Sequence, residues 1–168
     1  MFKVKFIERN TEDKTVFNFY DEISRIPLEI VFSKEIKMKT GRNRDNLSDQ
    51  SFIEFKFNDS TLELGLITFI SLKSFQLLEN VKNQKFISTD RYIMYLDDMK
   101  NEEFIRFNHD TEIYKINSAL LIQFDSLDQE TLNYYSLNHR LSIGVNDGME
   151  LKSLFIDNIQ QVEIELLF

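Results

Sequence analysis

Apolar and polar residues alternate along much of this chain, which is the pattern of half-buried β-strands. The segment from Arg140 to Phe168 shows the pattern most plainly, with a strand at Leu141–Val145, a turn at Asn146–Gly148 and a returning strand at Met149–Leu154. Asn, Asp and Gly tolerate the positive φ that a tight hairpin connection requires. The spacing of the next segment, Ile159–Ile164, predicts a short turn that places one apolar residue inward, followed by a new strand.

That spacing, which we write Φ-x-x-Φ-x-Φ with Φ for an apolar residue, recurs upstream after other turns led by Asn. The distance from the Asn to the second Φ is between 14 and 17 residues in all four cases. Such self-similarity is typical of a repeated supersecondary unit, with units beginning near residues 2, 52, 103 and 140, although chance matches in a β-rich chain would look the same. If the repeat is real, Phe75 and Val162 are core positions.

One stretch of the chain favours a helix. Ser126 can cap a helix, Gln129 stands at the capping-box position, and Leu132 and Tyr135 then line one face, so the pattern predicts a helix from about Leu127 to Ser136. The sequence as a whole predicts an all-β, mostly antiparallel fold. We expect a β-sandwich or a partly open barrel made of about four strand–turn–strand units, with the short helix near 127–136.

Length and composition indicate a single globular domain over residues 1–168. The chain is 42% hydrophobic and contains 16 Phe but only one Pro, so it can fill a core between sheets. Cysteine is absent, which excludes disulfides, thiolate metal sites and cysteine nucleophiles. The N-terminus alternates apolar and basic residues and lacks the apolar run of a secretory signal, and no stretch is long enough to cross a bilayer. We therefore expect a cytoplasmic protein with no membrane contact.

Charge divides the chain into an acidic whole and one basic segment. The net charge of −8 makes nucleic acid an improbable partner, since phosphate contacts drive that binding. The basic residues cluster at Lys34, Lys37, Lys39, Arg42 and Arg44. They predict either a contact for phosphate, nucleic acid or an acidic partner, or an edge strand that lysines protect against unwanted pairing. The second interpretation is favoured.

Aromatic side chains offer a further candidate surface, because Tyr92 and Tyr95 on a predicted strand could stack against a ligand. Neither histidine has companions at metal-ligand spacing, and the chain has no phosphate-binding loop and no nucleophile elbow. The sequence thus predicts no catalytic residue, no metal and no cofactor.

The expected function is non-enzymatic protein binding or assembly. The chain could serve as a structural subunit of a larger particle or as an acidic, immunity-type inhibitor, and self-association stays open. The alternative is a β-barrel that binds a ligand or nucleic acid through the basic segment 34–44.

Overall fold

Strands make up most of the part of the chain that the computed structural model describes. It describes residues 3–8, 15–20, 27–32, 38–44, 52–58, 60–70, 75–79, 84–87, 92–96, 104–107, 111–124 and 131–168, and only the backbone at 38–44, 52, 84, 96 and 104–107. The strands are β1 (Val4–Glu8), β2 (Val16–Phe19), β3 (Leu28–Val31), β4 (Met38–Arg44), β5 (Phe52–Asn58), β6 (Leu64–Ile70), β7 (Gln76–Leu77), β8 (Gln84–Phe86), β9 (Tyr92–Leu96), β10 (Phe104–Phe107), β11 (Thr111–Ile116), β12 (Ala119–Phe124), β13 (Leu132–Ser136), β14 (Leu141–Val145) and β15 (Leu151–Ile156). One helix, α1 (Gln161–Leu167), follows them.

Two large sheets contain most of these strands. The six-stranded sheet has the order β10-β4-β5-β6-β3-β2, and the seven-stranded sheet has the order β7-β11-β12-β15-β14-β13-β8. Pairing is antiparallel except where β10, β7 and β8 join as outermost strands, each parallel to its neighbour. The prediction of an all-β, mostly antiparallel fold is confirmed.

The two large sheets share one hydrophobic core. Alternate residues of β5, namely Ile53, Phe55 and Phe57, are buried in it together with alternate residues of β12 and β14 from the other sheet. The rings of Phe55 and Phe124 meet edge to face across the core, with centroids 6.2 Å apart. The abundance of Phe in the sequence therefore serves inter-sheet packing, as expected for rings between sheets.

A two-stranded ribbon of β1 and β9 connects the two large sheets. The two strands pair antiparallel, and Val4 and Met94 turn toward the core. The backbone N–H of Val4 donates to the carbonyl of Met149 at 2.9 Å, beside the seven-stranded sheet. A bridge between Glu63 and Tyr95 joins the ribbon to the start of β6 in the six-stranded sheet.

The predicted hairpin over 141–154 is present as β14 and β15. Asn146 organises its turn, because its side-chain Oδ1 accepts the N–H of Glu150 at 3.0 Å and its carbonyl accepts the N–H of Met149 at 3.0 Å. The positive φ of this turn lies at Met149, with a value of 58°, and not at Gly148.

The predicted helix near 127–136 is wrong over its second half. Residues 132–136 form strand β13, which pairs with β14 and β8, and residues 127–130 lie outside the described residues. Tyr134 is buried on the outer face of the sheet, whereas Tyr135 packs against the inner core. This alternation has the period of a strand, so pairing with two neighbours outweighed the capping signal.

The predicted terminal strand is also wrong, because residues 161–167 form helix α1. Ile164 and Leu167, three residues apart on one helical face, are buried in the core, while Val162 is 57% exposed. The prediction that Val162 is a core residue is therefore wrong. A strand would have turned Val162 and Ile164 to the same side, whereas the helix separates them.

The segments that share the Φ-x-x-Φ-x-Φ spacing do not share a structure. One lies within β12, and the last runs into α1. Of the segment 72–77, the described residues 75–77 contribute Gln76 and Leu77 to strand β7. Residues 23–26 of the first segment lie outside the described residues. Phe75 is half-buried, with its ring centroid 4.9 Å from that of Phe168. Because β1 pairs with β9 and not with the next strand, the proposed first unit is not a hairpin either.

Candidate protein-binding surface

The described part of the basic segment does not form a protected sheet edge. Strand β4 carries Lys39, Arg42 and Arg44 and lies between β10 and β5, so it is an interior strand of the six-stranded sheet. For these three residues, the interpretation as guards of an edge strand is therefore wrong. Lys34 and Lys37 lie outside the described residues.

The cross-strand register divides the described part of the basic segment between two faces. Lys39 pairs with Phe57, whose side chain is in the core, whereas Arg42 pairs with Glu54 on the outer face. Arg44 is two residues from Arg42 and so shares its face. The backbone register therefore places Lys39 on one face of the sheet and the two arginines on the other. Arg106, which the sequence did not single out, is the register partner of Arg42 on β10.

Tyr92 and Tyr95 lie on β9 and take opposite sides of the ribbon. Tyr92 packs edge to face against Phe6 and Tyr135, with centroid distances of 6.3 and 5.2 Å, and so contributes to packing around the core. Tyr95 faces the other way, with the Nζ of Lys5 6.0 Å from its ring centroid. Residues three apart on a strand point to opposite faces, so the two tyrosines do not form one stacking surface.

The basic segment and the tyrosines are also apart in the fold. The bridge at Tyr95 reaches Glu63 at the start of β6, and β5 lies between β6 and β4 in the sheet order. Of the residues offered as a binding site, the described ones therefore lie on two strands, β4 and β9, that are not neighbours.

A different surface lies at the β8 edge of the seven-stranded sheet, where exposed apolar side chains pack against two aromatic rings. Phe86 on β8 is 49% exposed, and Ile87 directly after it is 36% exposed. The ring of Phe86 lies over Tyr134, with centroids 5.1 Å apart, and meets Phe155 edge to face at 5.7 Å. We call Phe86, Tyr134 and Phe155 the aromatic platform.

The aromatic platform is held in place by an unusually close contact. Gly144 on β14 is the register partner of Tyr134, and a Cβ added to this glycine would overlap Ser153 Oγ and lie 2.8 Å from Cζ of Tyr134. The tyrosine ring therefore occupies the space that a side chain at 144 would fill. Its hydroxyl accepts a hydrogen bond from Ser153 Oγ at 2.8 Å, and both residues are fully buried. Only glycine is compatible with this close approach.

A row of polar side chains extends from the aromatic platform across the outer face of the seven-stranded sheet. Gln123 stands between Glu112 and Ser153 in the register, and its buried Oε1 has no hydrogen-bond partner within the described ranges. The hydroxyl of Tyr114 donates to Glu112 at 2.7 Å. Burial, together with this hydrogen bond, raises the pKa of Tyr114 to about 12. These groups give the outer face of the sheet a polar centre beside its aromatic edge.

The backbone of the β8 edge is partly engaged. Strand β8 runs parallel to β13, and the N–H of Ile87 donates to the carbonyl of Tyr134 at 3.0 Å. In the described sheet order β8 is the outermost strand on this side. An outermost strand with exposed apolar side chains favours association with another chain.

The opposite edge of the same sheet has an exposed apolar residue as well. Leu77 on β7 is 78% exposed, and Phe75 and Phe168 pack together beside it. The sequence pattern predicts a strand at Lys85, Phe86 and Ile87 but does not select them as a site. The signal that could have identified them is the pair of adjacent apolar residues, Phe86 and Ile87, in a short strand bounded by polar residues. Only one of two adjacent side chains can face the core, so such a pair predicts an exposed apolar residue.

No protein-family model matches this chain, and no curated protein matches it either. Among the described residues, no three His, Asp or Glu side chains are grouped so that they could hold a metal ion. Within the same ranges, no helix is long and apolar enough to span a membrane.

Proposed function

We propose that this protein is a non-enzymatic protein-binding or assembly module and that the β8 edge is its contact surface. The observation that carries the proposal is Phe86, a half-exposed aromatic residue on an outermost strand, seated on two further rings. Aromatic side chains that are already immobilised lose little conformational entropy on binding and are common at interface hot spots. A cytoplasmic location belongs to the same proposal.

Several features support binding over catalysis. The platform side chains are packed against one another and Phe86 offers exposed apolar area, whereas the polar groups nearby are mostly bound to each other, as in the pairs Ser153–Tyr134 and Tyr114–Glu112. The acidic net charge of −8 suits a partner with a basic surface, because complementary charge accelerates encounter. Both a structural subunit and an acidic inhibitor fit this description.

The test compares the full chain with a variant that carries Phe86→Ser and Ile87→Ser. Both proteins are immobilised, incubated with a lysate of the source organism, and the captured proteins are identified by mass spectrometry. Each candidate is then purified and its affinity measured by calorimetry. We expect the double substitution to weaken binding of a true partner at least about 30-fold, because truncation of a hot-spot aromatic residue has effects of this size.

The matched control is Ile7→Ser, which removes another apolar side chain, 51% exposed, from the ribbon. This variant should bind the partner as the unchanged protein does. Equal binding by the unchanged protein and the Phe86/Ile87 variant would show that the β8 edge is not the contact surface. Substrate turnover by the purified protein would exclude the non-enzymatic proposal.

A further inference from the structure

Strand β8 directs some of its backbone hydrogen-bonding groups away from the seven-stranded sheet. On a β-strand, the N–H and C=O groups of successive residues point to alternate sides of the strand. The N–H of Ile87 donates to the carbonyl of Tyr134 on β13 at 3.0 Å. The N–H and C=O of Phe86, one residue earlier, therefore point to the opposite side, where the described sheet ends.

Phe86 combines these outward backbone groups with an exposed ring. Among the described strands, β8 pairs only with β13, so the outward N–H and C=O of Phe86 have no strand partner in that part of the chain. The ring is 49% exposed and is held against Tyr134 and Phe155. A backbone donor, a backbone acceptor and an apolar ring at one edge position favour pairing with a further strand.

The outward groups of Phe86 are complementary to those of a second copy of this chain. In antiparallel pairing, two residues directly opposite each other exchange both N–H···O bonds, with Cα atoms about 5.5 Å apart. If Phe86 lies opposite Phe86 of the second copy across a two-fold axis, the donor and the acceptor of both residues are satisfied. The two rings then lie side by side on the outer face, where cross-strand aromatic pairs stabilise a sheet.

The charge of the β8 edge permits this pairing. The chain has a net charge of −8, so two copies repel each other in most orientations. Residues 84–87 contain no acidic side chain, and Lys85 is the one charged residue among them. With Phe86 on the two-fold axis, Lys85 of each copy stands opposite Ile87 of the other copy. The pairing therefore brings no like charges directly opposite each other, which would destabilise it.

We propose that the protein forms a symmetric dimer in which β8 pairs antiparallel with β8 of a second copy, centred on Phe86. The seven-stranded sheets of the two copies then form one continuous sheet, with the two aromatic platforms adjacent. A two-fold pair of this kind is the commonest form of homo-oligomer. The inference rests on the function proposed for the β8 edge and names its partner. Because the described edge is short, the dimer should be weak and dependent on concentration.

Sedimentation equilibrium of the full chain tests the dimer over roughly 1 μM to 1 mM, the range of weak association. We expect the mean mass to rise toward twice that of the chain, and Phe86→Ala to weaken the dimer at least about tenfold, as for a hot-spot aromatic residue. A protein that stays monomeric over the whole range would overturn the dimer. If the monomer instead captures a different protein through Phe86 and Ile87, the proposed function stands and the dimer is still overturned.

Two variants at Ile87 test the register of the pairing. Ile87→Glu places a carboxylate opposite Lys85 of the second copy, whereas Ile87→Lys places two like charges there, and each contact occurs twice in the dimer. Since both variants lose the same apolar side chain, we expect Ile87→Glu to dimerise at least about fivefold more tightly than Ile87→Lys. General repulsion between acidic chains gives the opposite order, because Glu increases the negative charge. Equal or tighter dimerisation of Ile87→Lys would overturn the proposal.

Leu77 on the opposite edge of the sheet provides the matched control, since its side chain is 78% exposed. Leu77→Glu should not dimerise more tightly than Leu77→Lys, and a preference for Glu there as well would overturn the proposed register. Combining Lys85→Glu with Ile87→Lys exchanges the two charges. This double variant should dimerise within about threefold of Ile87→Glu, because the opposite-charge pair is restored.

Amide exchange of the unchanged protein, followed by NMR, tests the pairing without any substitution. The N–H of Phe86 points into the proposed interface, whereas the N–H of Ile87 is already bonded to Tyr134. Raising the concentration through the dimerisation range should slow the exchange of the Phe86 amide at least about threefold, and that of the Ile87 amide less. Exchange of the Phe86 amide that is equally fast at low and high concentration would overturn the proposal.

Discussion

The outer faces of the two large sheets are built on different physical principles. On the six-stranded sheet, a row of polar residues crosses every strand in register: Asn18, Glu29, Thr68, Glu54, Arg42 and Arg106. The outer face of the seven-stranded sheet carries the aromatic platform instead.

Many residues contribute to the stability of the polar face of the six-stranded sheet, whereas the aromatic face of the seven-stranded sheet depends on a few. In the polar row, the carboxylate of Glu54 forms an ion pair with Lys56 at 3.0 Å, and the row continues through every strand of the sheet, so no single residue sets its geometry. On the seven-stranded sheet, the position of Tyr134 depends on one missing side chain, at Gly144. Substitutions should therefore have large, local effects on the aromatic face and small effects on the polar face.

The largest effect should follow the loss of Tyr134. Tyr134→Ala removes a fully buried ring and leaves a cavity between Gly144, Ser153 and Phe86, so the free energy of unfolding should fall by about 3–5 kcal/mol. Urea denaturation followed by circular dichroism measures this change. Tyr134→Phe is the matched variant, and it should lose only about 1–3 kcal/mol because it leaves the hydroxyl of Ser153 without its acceptor. Equal losses would mean that the ring itself contributes little.

A second, smaller effect should come from filling the space at Gly144. Gly144→Ala should lower the free energy of unfolding by about 1–3 kcal/mol, because the added methyl group overlaps Ser153 Oγ and the Tyr134 ring. Gly148→Ala is the control within the same hairpin. The closest atom to its Cβ would be Asn146 Oδ1 at 3.3 Å, and Gly148 has no positive φ. If both alanine variants unfold at the same urea concentration, the close approach at Gly144 has no energetic importance.

On the polar face, one substitution should stabilise the protein. Among the residues that the structure describes, the buried Oγ1 atom of Thr68 has no hydrogen-bond partner, so Thr68→Val replaces an unsatisfied hydroxyl with a methyl group of similar size. We expect a gain of about 1 kcal/mol in thermal or urea unfolding. The comparison is Ser153→Ala, which removes a hydroxyl that is bonded to Tyr134 and should destabilise. A loss of stability in Thr68→Val would show that this hydroxyl is satisfied in solution.

The smallest expected effect is a pH dependence of the free energy of unfolding, which arises at Tyr114 on the same face. The pKa of Tyr114 rises to about 12 from its ordinary value of 10.0, so the folded state holds this proton more tightly than the unfolded chain. The contribution is fully present below pH 10 and is lost as the pH rises toward 12. Tyr114→Phe should flatten the decline in stability over this range. An absorbance titration in which all tyrosines ionise near pH 10 would contradict the prediction.

Local features of the fold could be predicted from the sequence, and long-range pairing could not. The hairpin of β14 and β15 follows from alternation and an Asn-led turn, both contained in adjacent residues. The pairing of β4 with β10, in contrast, depends on segments far apart in the chain. This pairing makes β4 an interior strand, so it overturns the interpretation of the basic residues on β4 as guards of an edge.

The helix and strand assignments near the C-terminus were exchanged for a related reason. Local signals favoured a helix over 127–136 and a strand at Ile159–Ile164, but tertiary contacts reversed both. The place of Leu132–Ser136 between β14 and β8 made it a strand, and the ion pair between Arg140 and Glu163 helps to hold α1 in place. Phe86 was missed because its exposure depends on where β13 and Gly144 place Tyr134, which no local pattern records.

The ribbon of β1 and β9 has a consequence for synthesis on the ribosome. Strand β1 leaves the ribosome well before its partner β9, and the N–H of Val4 bonds to the carbonyl of Met149, which is synthesised later still. Pairings between such distant segments slow folding, because the intervening chain must first be ordered. During translation β1 would wait as an unpaired strand that is exposed to chaperones and proteases. A nascent chain stalled before β9 should therefore be cut within β1 by a protease that leaves the full chain intact.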